Sequence, residues 1–146
     1  MVMVVAHLTI AAIWLGSMVY SLAVVQPTVA RVFTDESRQE EFLLALAHGN
    51  RRRVVALVAF LVVSDVWVMV TWPRAVGGYG VALALYAAAA AIFLNVSWRH
   101  WPARVFALPE ELARYRLRLR IQALVMLAAV GAAFVAALGA SIGLWS

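Results

Sequence analysis

The chain has 146 residues, of which 66% are hydrophobic and only 13% charged, with a mean hydropathy of +0.92. A water-facing domain carries about a quarter charged residues, so this surface is too poor in charge for a soluble fold. Cysteine is absent, which excludes disulfides, thiolate metal sites and thiol redox chemistry. The net charge of +5 comes from 12 basic residues, all of them arginine. Without lysine there is no Schiff-base nucleophile. The basic excess is expected to meet anionic lipid at cytoplasmic loops and not nucleic acid.

A helix needs roughly 20 apolar residues to cross a bilayer core. Four segments meet that length, at about residues 2–25, 54–72, 79–98 and 109–144. The expected fold is therefore an all-α integral membrane four-helix bundle with short loops, a single domain over residues 1–146. The first charge in the chain is Arg31, so no basic stretch precedes the first apolar run. That argues for an uncleaved start.

The loop after the first segment carries Arg31, Arg38, Arg51, Arg52 and Arg53, and the third loop carries six more arginines. The middle loop has only Arg74. The positive-inside rule puts the first and third loops in the cytoplasm and both termini outside. Within the first loop, Ser37 and Glu40 form a capping-box pattern. A surface helix is expected from about 37 to 48, closed by Gly49. In the third loop, Pro109 suits a helix start, and Glu110 can pair with Arg114. Arg114, Arg116, Arg118 and Arg120, like Arg51, Arg52 and Arg53, are expected to meet lipid headgroups or a partner. Gln26, Asn95 and Gln122 form a candidate polar layer at this inner level. His48 and His100 lie there as well, away from any outer site.

Asp65 sits inside the second segment, in Val63-Ser64-Asp65-Val66-Trp67. A carboxylate there costs at least ~2.5–3.5 kcal/mol on insertion scales, so it is expected to be paired or functional. His7 is the only histidine within an apolar span. Counting residues from the outer ends puts both groups roughly 8–10 Å deep on antiparallel neighbours, at ~1.5 Å per residue. A His7–Asp65 pair is therefore expected, with Asp65 fixing the imidazole. The candidate ligand set is His7, Asp65 and Trp14 for a cofactor, with His7 and Met3 for a metal. Small residues at Ala128, Ala132, Ala136, Gly139 and Gly143, and at Ala87 and Ala91, would let helices approach closely, within the bundle or between protomers.

The first helix reads His7-Leu8-Thr9-Ile10-Ala11-Ala12-Ile13-Trp14-Leu15-Gly16-Ser17, followed by Tyr20 and Pro27. This resembles the opening helix of the copper-resistance protein D (CopD) family, and also that of the HemJ-type protoporphyrinogen oxidases. The resemblance covers about residues 5–53 and includes the arginine run before the second segment. It implies a four-helix membrane protein with His7 as a ligand to heme b or copper. The lysine and further histidine of the third HemJ-type helix are missing here, so the resemblance implies no oxidase activity. No Ser/His/Asp arrangement, glycine-rich phosphate loop or dinucleotide fingerprint is present. Three functions are open on sequence: a heme- or copper-binding membrane protein, an accessory subunit of a larger respiratory or redox complex, and a small proton-coupled transporter using Asp65. A homo-oligomer or larger assembly in a bacterial inner membrane fits each of them.

Overall fold

The structure is a computed structural model that describes residues 1–100 and 109–144, except for the side chains of His100, Pro109, Glu110 and Leu112. Four long helices form it, each apolar enough and long enough to cross a membrane. Helix α1 runs Val2–Val32, α2 runs Glu36–Thr71, α3 runs Val76–Asn95 and continues as a π-helical turn Val96–His100, and α4 runs Pro109–Ser141. Each helix packs chiefly on its sequence neighbours, and α4 closes the ring on α1.

Helix α1 outruns its expected end because Pro27 widens it without breaking it. Proline has no N–H to give the Ala23 carbonyl, and its ring crowds that carbonyl. The chain answers with a π turn over Ser21–Val25, in which the Gln26 N–H reaches back to the Ser21 carbonyl. The helix then resumes over Gln26–Val32.

The expected surface helix at 37–48 is not a separate element. It is the first third of α2, which passes through Gly49 in ordinary helical geometry. Only Gly143 has a positive φ among the described residues, so Gly49 does not act as a cap. The helix start also lies two residues earlier than the capping box suggested. Asp35 is the cap, and its carboxylate accepts from the Ser37 N–H at 3.0 Å. At ~1.5 Å per residue, the 36 residues of α2 extend ~54 Å, well beyond a ~30 Å bilayer core. Every charge on α2 except Asp65 lies between Glu36 and Arg53.

Helix α4 begins at Pro109 as expected and carries its arginines in its first third. The charged parts of α2 and α4 lie at one end of the bundle. Arg116 ties them together, donating to Glu36 at 3.0 Å and to Glu40 at 3.2 Å. Arg51 donates to the Ser97 carbonyl and sits 4.2 Å over the Trp98 ring. Two of the arginines expected to face lipid or a partner therefore make contacts within the chain. The expected Glu110–Arg114 pair and the side chain of His100 fall outside the described residues.

At the opposite end, α4 stops two residues before Gly143, whose φ of 79° closes the helix. The Leu144 N–H bonds the Gly139 carbonyl at 2.9 Å, which is the Schellman arrangement. Gly143 is thus a helix terminator and not half of a Gly-x-x-x-Gly contact. Ala87, Ala91, Ala128 and Ala132 face outward, whereas Ala82, Ala89, Ala133, Ala136, Ala137 and Gly139 pack inside. The tightest approach is at Gly78, where an added Cβ would lie 2.5 Å from the Ala140 Cβ and 3.0 Å from the Ala136 carbonyl oxygen.

This contact predicts opposite effects for two similar substitutions. Gly16→Ala meets nothing within 4 Å and is expected to raise the melting temperature, since alanine gains up to ~1 kcal/mol over glycine in a helix. Gly78→Ala is expected to lower it, because overpacking costs about 1–3 kcal/mol. Thermal unfolding in detergent reads both. A Gly78→Ala protein as stable as Gly16→Ala contradicts the close α3–α4 crossing.

Candidate functional site

Over Val2–Tyr20 of α1 the buried residues are His7, Ala11, Trp14 and Met18, one stripe at steps of four, three and four. Those on α2 are Leu61, Ser64, Asp65 and Val68. On α3 they include Tyr79 and Tyr86, seven residues apart and so on one face. The stripes meet in the half of the bundle away from the arginines. There a cluster of polar groups forms, to which all four helices contribute.

His7 is at the centre and is fully buried, as is Asp65. His7 Nε2 faces Asp65 Oδ1 at 3.4 Å, the expected pair. His7 Nδ1 lies 2.7 Å from the Ser64 hydroxyl. Ser64 and Asp65, adjacent in sequence, thus face the two nitrogens of one ring. Tyr79 and Tyr86 pack edge-on to that ring, with centroids at 5.5 and 5.8 Å. Trp14 stacks on Tyr86 at 6.1 Å, so its place is in the wall behind the site. The Tyr79 hydroxyl reaches α4, where it meets Ser141 Oγ at 2.8 Å.

The hydrogen bonds fix the chemistry of the pair. The Ser64 hydroxyl has one proton, and it donates that proton to the Leu61 carbonyl at 2.9 Å. With that proton on the Leu61 carbonyl the hydroxyl accepts from His7 and Nδ1 carries a hydrogen, whereas in the other tautomer Ser64 donates to Nδ1. A neutral imidazole with hydrogen on Nδ1 has a bare Nε2. Nε2 and a carboxylate oxygen both carry lone pairs and would repel across 3.4 Å. One proton on either atom removes that repulsion. The pair is then either a neutral imidazole with a carboxylic acid or an imidazolium with a carboxylate. Both states have zero net charge, which an apolar core tolerates far better than a lone carboxylate.

The pair and its surroundings are incompletely satisfied. Both Asp65 oxygens, His7 Nε2 and the Tyr86 hydroxyl are buried without a hydrogen-bond partner of good geometry.

Heme does not fit this arrangement. Iron on Nε2 would place the macrocycle over Asp65, and on Nδ1 over Ser64. A metal ion would find His7 and Asp65, but among the described residues no group of three His, Cys, Asp or Glu exists to hold it. Zinc and copper sites draw on three or more protein ligands as a rule. Met3 packs against the apolar core on α1. At the inner level, Asn95 is exposed and Gln26 half-buried, while Gln122 Oε1 is buried without a partner. These three do not form one buried layer.

The structure brings His7, Asp65 and Trp14 close together and adds Ser64, Tyr79, Tyr86 and Ser141, which the sequence did not single out. The seven-residue spacing of the tyrosines was an available signal. Ser64 gave none beyond its position next to Asp65. The chain matches no protein-family model, no curated protein and no solved structure.

The pair predicts non-additive stabilities. His7→Leu leaves Asp65 buried and unpaired and is expected to destabilise by about 3–5 kcal/mol. Adding Asp65→Leu should recover most of that loss, since an apolar pair of similar volume is often as stable as the ionic one. A double-mutant cycle by thermal unfolding checks it. A double variant less stable than His7→Leu alone contradicts the pairing.

Proposed function

We propose that the chain is a multi-pass protein of a bacterial cytoplasmic membrane and that it couples transport to a proton held between His7 and Asp65. The arginine-rich ends of α2 and α4 support an orientation with that end in the cytoplasm and both termini outside. The pair then lies in the outer half of the bilayer. Counted from Val2 and Thr71, His7 and Asp65 are roughly 8–9 Å inside the helix ends at ~1.5 Å per residue.

The observation that carries this reading is the fully buried apposition of His7 Nε2 and Asp65 Oδ1 at 3.4 Å, with Ser64 holding Nδ1. Ionisable groups at such depth are expensive and mark proton relays and substrate paths. Asp65 is the proton carrier. His7 keeps the proton close when Asp65 ionises, and Ser64 holds the imidazole in the tautomer that allows this. The resemblance of residues 5–53 to the CopD and HemJ families points to the same histidine. The single small bundle works as an oligomer, or beside larger subunits that share its lipid-facing surface.

Liposomes holding a pH-sensitive dye test the proposal. Wild-type protein is expected to dissipate an imposed pH gradient, and Asp65→Asn to abolish that dissipation. His7→Gln should reduce it while leaving Asp65 in place. Dissipation that is equal in the wild type and in Asp65→Asn contradicts the proposal. So does a Soret band in the purified protein that His7→Ala removes.

A further inference from the structure

A groove of about 450 Å³ lies between α1 and α4, toward the arginine-rich end. Its walls are Val19, Leu22 and Ala23 on α1 and Leu124 and Leu127 on α4. Gln26, Pro27 and Arg120 form one end. The π turn of α1 borders the groove and supplies Leu22 and Ala23 to it. Pro27 widens α1 over Ser21–Val25, and this stretch forms one wall. Such π turns recur at functional sites.

The groove is polar at one end and apolar along its length. Helices α1 and α4 run in opposite directions, so Gln26 lies level with Arg120 and Val19 level with Leu127. Each step covers seven residues, or roughly 10 Å at ~1.5 Å per residue. The long axis of the groove thus runs parallel to the helices. Arg120 is exposed and makes no hydrogen bond or ion pair with the described residues, unlike Arg116 and Arg51. Its guanidinium is free to hold a phosphate, and the Gln26 amide lies at the same end.

We infer that this groove binds one anionic phospholipid of the surrounding membrane, with its phosphate on Arg120 and an acyl chain along Val19, Leu22, Leu124 and Leu127. The charge at one end selects an anionic headgroup, and the apolar walls select a chain that runs along the bilayer normal. The inference rests on the membrane reading above but not on the His7–Asp65 pair. Arg118, two residues away, is exposed and lies outside the groove. It offers a control for charge alone.

Native mass spectrometry of protein extracted from bilayers of phosphatidylglycerol and phosphatidylcholine in equal parts tests the site. Wild-type protein is expected to retain one phosphatidylglycerol in preference to phosphatidylcholine. Arg120→Gln should lower that preference about fivefold, from ~1 kcal/mol per arginine near a lipid surface. Arg118→Gln should leave it nearly unchanged. Leu124→Trp, which fills the groove at an exposed position and keeps every charge, should reduce retention of either lipid. Equal retention of the two lipids by wild type overturns the site, as does an equal effect of Arg118→Gln and Arg120→Gln. Protein that alkaline washing strips from membranes would instead overturn the membrane reading itself.

Discussion

The structure depends on one constraint: a carboxylate buried in an apolar bundle must not be left alone. Asp65 is fully buried, and among the described residues its ion-pair partner is His7. This requirement fixes how α1 and α2 are rotated against each other. It also fixes the imidazole, because Ser64, one residue before Asp65, holds the other ring nitrogen. The tyrosines of α3 then close around the ring, and Tyr79 carries the network on to Ser141 of α4. One polar contact thus orders all four helices.

Elsewhere the bundle is held by packing of small residues. In lipid there is little hydrophobic drive between helices, so close approach and dispersion must do the work. The α3–α4 crossing at Gly78 and Ala140 is the clearest case. The two ends of the molecule are built differently. The arginine-rich end uses ion pairs, with Arg116 clasping Glu36 and Glu40 where water is expected. The other end has almost no charge and contains the buried pair. The buried His7–Asp65 pair and the arginine-rich end are thereby kept apart.

Much of this was legible in the sequence. Four apolar runs bounded by arginine, proline and tryptophan announce four helices. Depth counting from the helix ends brings His7 and Asp65 together before any coordinates, because antiparallel neighbours at ~1.5 Å per residue leave few alternatives. Other features were not legible. The continuity of α2 through Gly49 has no local signal, because a lone glycine reads locally as a stop. Gly143 suggested helix–helix contact, yet its positive φ makes it a terminator. The π turn at Ser21–Val25 depends on how the chain accommodates Pro27, for which composition gives no rule. Ser64 and the two tyrosines matter through orientation, and hydroxyl groups at helical spacing are too common to single out.

The central claim is that His7 and Asp65 together hold one proton and no net charge. Solid-state nuclear magnetic resonance of the protein in lipid bilayers, with labelled histidine nitrogens and aspartate carboxyl carbon, tests it most directly. The expected result is a protonated His7 Nδ1 with one further proton on either Nε2 or the Asp65 carboxyl. A bare Nδ1 beside a protonated Nε2 and an ionised Asp65 would give the pair a net negative charge and contradict the account.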